Sequence, residues 1–220
     1  MRASLDTNVI IHLYRAGQKT ILFDRFIEGI YIYEQIRYVE MENHGQDILQ
    51  ELDQDIADGK IQLITRDFLR GQAVLRMFNE YVEENRILYN PGDMGEVYAI
   101  ALAQTLGAYS LVTDDVKDRG PYDSLLRLNY NDVMPLNFSD VLLLNYLEGI
   151  LNAGRTVATF NKINERSDLK WGLESQLKKF IRRYWSNPYQ ETDKEWMADF
   201  CITRNIKAKE KFIELRKWLQ

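Results

Sequence analysis

The chain has 220 residues, 45% of them apolar and 28% charged, with a formal net charge of −5, which suits one domain or one domain with a sizeable appendage. Cys201 is the sole cysteine, so an intrachain disulfide is excluded and a reducing compartment is expected. Residues 1–6 reach Asp6 too soon for a signal peptide, and no run approaches the roughly 20 apolar residues of a membrane span, so the expectation is a cytoplasmic protein with no membrane partner.

Residues 3–5 read as a short first strand, and Asp6-Thr7-Asn8 after them favour a helix N-cap over a strand interior. Val9, Ile10, Leu13 and Tyr14 then recur as the buried stripe of a helix. A second helical pattern, Ile21, Leu22, Phe26 and Ile27, closes at Gly29. Ile30-Tyr31-Ile32-Tyr33 is apolar on both faces, as expected of a parallel strand covered by helices on each side. Ile36, Val39 and Glu40 continue helically, His44-Gly45 breaks the pattern, and Ile48, Leu49, Leu52 and Ile56 mark an amphipathic helix that Gly59 can end.

A third strand is expected at 61–64, then a helix through Ala73, Val74, Met77, Phe78, Tyr81 and Val82. After the loop Asn90-Pro91-Gly92, residues 93–106 form the cleanest helix of the chain, stopped by Gly107. Residues 110–113 read as a fourth strand ending in Asp114-Asp115. Val133-Met134 reads as a short fifth, with Pro135 tolerable at an edge or strand end. This alternation predicts an α/β fold, an open parallel sheet sandwiched by helices with right-handed crossovers.

From Phe138 onward only helical patterns follow, through Val141 to Leu151, through Leu173, Leu177, Phe180, Ile181 and Tyr184, and through Trp196, Phe200, Ile206, Phe212, Leu215 and Leu219. The expected organisation is a sheet domain at 1–136 and an all-helical C-terminal extension at 137–220 packed on it. Charge divides along the chain as well. Residues 1–150 carry 13 Lys/Arg against 24 Asp/Glu, a balance of −11, and residues 151–220 carry 15 against 9, a balance of +6. A basic tail can meet a polyanion, or its helices can pack on acidic ones in the same molecule. Lys178, Lys179, Arg182 and Arg183, interleaved with Phe180, Tyr184 and Trp185, are candidate RNA contacts; the competing reading is an amphipathic helix with a solvated basic face.

Four acidic places stand out once the elements are laid down. Asp6 ends the first strand, Glu40 lies about two turns into the helix after the second, Glu96 lies in the first turn of the 93–106 helix, and Asp114-Asp115 ends the fourth strand. In a doubly wound sheet the first and fourth strands are central neighbours, so Asp6 and Asp114/Asp115 face one crevice. Each residue also has a plain structural role: Asp93-x-x-Glu96 resembles a capping box, Glu40 can be a solvated helix residue, and Asp114 or Asp115 can cap a helix containing Val116. Taken together the carboxylates would repel one another, and an oxygen-only set suits Mg²⁺ or Mn²⁺. Asp6, Glu96 and Asp115 are expected to share one ion, with Glu40 at the rim.

The segments L-D-T-N-V-I-I, Y-I-Y-E-Q-I-R-Y-V-E, G-E-V-Y-A-I-A-L-A-Q-T-L-G-A and L-V-T-D-D together resemble the PIN-domain nucleases over roughly residues 1–135, and within them the branch related to VapC-type toxins, with Gly-Glu where a third Asp is more usual. The resemblance implies a PIN-like fold and a four-acid site of Asp6, Glu40, Glu96 and Asp115, with Asp114 as an additional metal-ligand candidate. It also implies that Asn8 orients Asp6, and that Thr113 braces the last acid or a substrate phosphate. The implied activity is metal-dependent cleavage of RNA, with an antitoxin-like partner and a homodimer as further expectations. Residues 136–220 have no counterpart in that pattern. A PIN-like module that binds protein or RNA without catalysis is the alternative. An Asp-nucleophile phosphatase is disfavoured, because its second acid, two residues after the first, is Asn8 here. Two histidines, His12 and His44, cannot build a histidine-rich metal site, no Gly-rich phosphate loop is present, and Cys201 reads as a core thiol.

Overall fold

Five strands, β1 (Arg2–Leu5), β2 (Gly29–Tyr33), β3 (Gln62–Ile64), β4 (Ser110–Val112) and β5 (Met134–Leu136), pair in parallel in the order β3-β2-β1-β4-β5. This computed structural model describes residues 1–87, 89, 94–128 and 132–219. β1 pairs with β2 on one side (Ala3 opposite Ile30) and with β4 on the other (Ala3 opposite Ser110), so the expected central pair is present. Pro135 sits opposite Leu111 in β5, an edge strand, where its missing N–H costs no ladder bond on the open side.

The helices follow from the connections. α1 (Thr7–Arg15) and α2 (Thr20–Arg25) lead from β1 to β2; a π-helical turn at Ile36–Glu40, α3 (Met41–His44), a 3-10 turn at Gln46–Ile48 and α4 (Leu49–Ala57) lead to β3. α5 (Arg66–Gly71), α6 (Leu75–Arg86) and α7 (Met94–Leu106) return the chain to β4, and α7 lies across β1, β2 and β4. α5, capped by the Thr65 hydroxyl on Phe68 N at 3.1 Å, has no counterpart in the sequence reading. Residues 113–116 are irregular, so neither Asp114 nor Asp115 caps a helix containing Val116, and α8 (Pro121–Arg127) starts later, with proline in its first turn, where no intrahelical N–H is needed.

One residue, Asn137, separates β5 from α9 (Phe138–Glu148), and it closes a capping box with Asp140. Every α9 residue from Phe138 to Leu147 is buried, the mark of a helix enclosed on all sides. α9 packs on α2 and β5 and is covered by α10 (Ala153–Ser167) and α11 (Leu173–Ile181), while the Asn145 amide donates to Ile21 O at 2.9 Å. A second π-helical turn at Arg182–Ser186, α12 (Glu191–Thr203) and α13 (Ala208–Lys217) complete the chain. Among the described residues no helix is long and apolar enough to cross a membrane.

The basic stretch divides. Lys178, Lys179 and Arg182 are exposed, Lys178 pairing with Glu174 at 2.7 Å. Arg183 is 2% exposed, which corrects its assignment as an RNA contact. Its guanidinium donates to Asp193 at 2.7 and 3.2 Å and to Pro135 O at 2.6 Å, and stands 3.8 Å from Asp140. Position 183 continues the buried spacing of Gln176 and Phe180, so it turns inward where Arg182 turns outward. Removing one partner of a buried ion pair strands the other. Arg183→Ala should therefore cost about 3–5 kcal/mol in urea unfolding, while Lys179→Ala should stay within about 0.5 kcal/mol. Equal effects of the two would refute this role.

Candidate functional site

Asp6 leaves β1 with its N–H on Val112 O at 3.0 Å and an extended backbone, so its side chain turns into the helix mouth rather than continuing the sheet. There the carboxylate accepts Thr7 N at 2.7 Å on Oδ1 and the Thr113 hydroxyl at 2.8 Å on Oδ2. It is 1% exposed. Burial first, then the charges of Glu96 and Glu40, push its pKa up to about 8 against the opposing hydrogen bonds from Thr113 and Thr7.

Glu40 reaches this site from the π-helical turn and accepts a hydrogen bond from the Thr7 hydroxyl. Gly95, in the first turn of α7, lies against the same carboxylate: a Cβ there would overlap Glu40 Oε1 and Oε2. The Gly-Glu pair thus has two separate uses, a bare backbone that admits Glu40 and a Glu96 side chain whose charge acts on Asp6. Asp93, the other half of the expected capping box, lies outside the described residues.

The two acids after β4 part company. Asp114 is buried and turned to the opposite side, where Oδ1 accepts Phe138 N at 2.8 Å and Oδ2 meets His12 Nδ1 at 2.7 Å. It fastens the start of α9 and the middle of α1. The Asp115 backbone N–H donates to the Thr113 hydroxyl oxygen at 3.1 Å, and its carboxylate pairs with Lys117 at 2.7 Å. Thr113 therefore braces Asp6 and the Asp115 backbone together. The Asn8 side chain is half-buried and makes no hydrogen bond to the described residues, so the orientation of Asp6 comes from Thr7 and Thr113.

Glu96 and Glu40 thus both act electrostatically on Asp6, and the Asp115 backbone is tied in through Thr113. As the side chains stand, no three His, Cys, Asp or Glu among the described residues form a group that could hold a metal ion. Thr7, Gly95 and Lys117 are members of the site that the sequence reading did not single out. Thr7 was within reach of that reading, since a hydroxyl next to a cluster of acids has few other partners. No protein-family model, curated protein or solved structure matches the chain.

Two tests follow from this geometry. Because the Asp6 carboxyl is raised from 3.8 to about 8 in the folded protein, its protonated form favours folding; that contribution is whole below about pH 4 and is lost as pH rises through about 8. Asp6→Asn should melt above the wild type at pH 8.5, with the gap closing toward pH 4; a gap constant with pH would contradict the assignment. Gly95→Ala should leave the melting temperature unchanged or raise it slightly, since alanine is favoured over glycine in a helix by about 1 kcal/mol. It should also push the Glu40 carboxylate away and thereby lower the Asp6 pKa, read as a carboxyl titration at lower pH by NMR. An unmoved Asp6 titration in this variant would sever Glu40 from the site.

Proposed function

We propose that this protein is a divalent-metal-dependent endoribonuclease of PIN type, hydrolysing RNA phosphodiesters at the site around Asp6. The observation that carries the reading is a carboxylate buried at the carboxyl end of a central parallel strand, with two further carboxylates raising its pKa. The strand order reverses between β1 and β4, and in open α/β sheets the crevice at such a switch point is where ligands bind. A buried carboxylate with like-charged neighbours is unfavourable unless a proton or a cation joins it.

The donor set fits a hard divalent cation in its chemistry, since Asp6, Glu40, Glu96 and Asp115 offer oxygen alone. Asp6 and Glu96 would be the main holders, with Asp115 joining after exchange of its partner Lys117. A bound ion would polarise the phosphodiester and make an attacking water more acidic. The chain's own residues supply the rest. Thr7 and Thr113 fix the Glu40 and Asp6 carboxylates in place, so that they need not reorganise when substrate arrives. Lys178, Lys179 and Arg182 are exposed cations that can hold a phosphate backbone, with Arg183 excluded by its burial.

The competing reading, a PIN-like binding module without catalysis, draws its support from the lack of a ready three-ligand group among the described residues. The two are separated by incubating single-stranded RNA with the full chain and Mg²⁺ or Mn²⁺. Hydrolysis that stops with EDTA and falls at least a hundredfold in Asp6→Asn supports the enzyme. Binding without any cleavage, or cleavage equal in Asp6→Asn and wild type, supports the module.

A further inference from the structure

A cavity of about 810 Å³ opens beside the edge strand β5, at the amino ends of β4 and β5 and so at the opposite end of the sheet from Asp6. Its size is that of a small-molecule site. Buried Leu125, Leu126, Val133 and Met134 give it apolar walls. Tyr109 adds an exposed ring, stacked on Trp196 with the centroids 6.3 Å apart. Glu84 of α6 and Asp132, two residues before β5, also line the cavity and are exposed, so solvent reaches it.

The charges on this lining are not balanced within the protein. Arg183 is the one Lys or Arg among the described lining residues, and its guanidinium is already engaged by Asp193 and Pro135 O, with Asp140 at 3.8 Å. Gln190, another donor on the wall, gives its amide N–H groups to carbonyls at the end of α8, with Leu128 O at 2.9 Å. On the outer face of α6, Glu80 pairs with Arg76 at 2.9 Å and Glu83 stands 4.0 Å from Arg86. Glu84 and Asp132, which line the cavity, pair with no Lys or Arg among the described residues.

These features select among ligands. An anion would meet no spare positive charge here and two unneutralised negative ones. A bare metal ion is a poor match, since among the described residues no three acidic, His or Cys side chains group closely enough to hold one. A cation with N–H donors, charge at more than one point and an apolar stem matches each part of the wall. Its ammonium groups can meet the carboxylates of Glu84 and Asp132, which come from separate elements, and its methylenes can lie along Leu125, Leu126 and Met134. An ammonium over the Tyr109 ring would add a cation–π contact.

We propose that this cavity binds a linear aliphatic polyamine, with Glu84 and Asp132 taking its ammonium groups. The site is separate from the acids around Asp6, and its occupation does not depend on whether the protein cleaves RNA.

The test is calorimetric titration of the full chain with spermidine at low salt. Wild type is compared with two double variants, Glu84→Gln/Asp132→Asn and Glu80→Gln/Glu83→Gln. Both remove the same charge, but only the first removes it from the cavity. All four residues are exposed, so both variants should keep the wild-type melting temperature. Spermidine affinity should fall about tenfold or more in Glu84→Gln/Asp132→Asn, the loss expected when hydrogen bonds between charged groups are removed. It should stay within about twofold in Glu80→Gln/Glu83→Gln, whose charges are screened by water and salt. A wild type that binds no spermidine overturns the proposal. So does an equal loss in the two variants, because the amine would then be held by the general acidity of the surface. Asp6→Asn should bind spermidine as wild type does; loss of binding there would put the amine on the acids around Asp6 and overturn the cavity as its site. Spermidine binding that follows Glu84 and Asp132 in a protein that cleaves no RNA supports this proposal and overturns the nuclease reading alone.

Discussion

The pairing of β1 with β4 is the constraint on which the site depends. The two strands run side by side with Leu5 opposite Val112, and the ladder continues one step beyond as Asp6 N to Val112 O. That last bond puts Asp6 next to Thr113, whose hydroxyl can then reach the carboxylate. From this point the remaining members are recruited by single hydrogen bonds, Glu40 through the Thr7 hydroxyl and the Asp115 backbone through the Thr113 hydroxyl. A site assembled on the ends of two central strands inherits the rigidity of the sheet, whereas one assembled on loops would have to be ordered by its ligand.

The same strand ends join the sheet to the helices behind it. Thr113 serves Asp6 on one side, and Asp114, the next residue, serves Phe138 N and His12 on the other. α9 is thus fastened to the strand that carries the acids, and it is buried along its length beneath α10 and α11. Charges cross the same junction. Arg25 in α2 and Arg204 after α12 both pair with Glu148, and Arg183 reaches Asp140, Asp193 and Pro135 O. Part of the contrast between an acidic front and a basic back is consumed by these internal pairs. Lys178, Lys179 and Arg182 remain on the surface as the part that faces outward.

What could be read from the sequence depended on whether a signal was local. The strands, the order of elements and the adjacency of β1 and β4 follow from apolar runs, turn residues and crossover rules, and these appear as expected. Asp6 and Thr113 are legible for the same reason, each being the polar residue at the end of an apolar strand. Glu40 carried no local mark, because a glutamate on a helix is ordinarily solvated; its place is set by contact with Thr7 and Gly95, far away in the chain. Asp114 and Asp115 are indistinguishable by type, and only the alternation of side chains after β4 sends one inward to α9 and the other toward Lys117. Arg183 was misplaced because charge was weighed above periodicity. The spacing 176, 180, 183 was already that of a buried stripe.

The distribution of partners also bears on how a proposed cation would enter. Asp6, Thr7, Thr113 and Glu40 are linked to one another and are largely withdrawn from water, so they form a fixed floor. Asp115 is held differently: its carboxylate faces Lys117, whose side chain is 54% exposed. The Asp115 side chain itself is 10% exposed, so the pair is open to water from the lysine side only. Exchanging that ammonium for a divalent ion would keep Asp115 paired, while at Asp6 the ion would take the place of the proton that burial, Glu96 and Glu40 hold there. Asp6 and its linked neighbours would then be the fixed holders of such an ion, and Asp115 the exchangeable one.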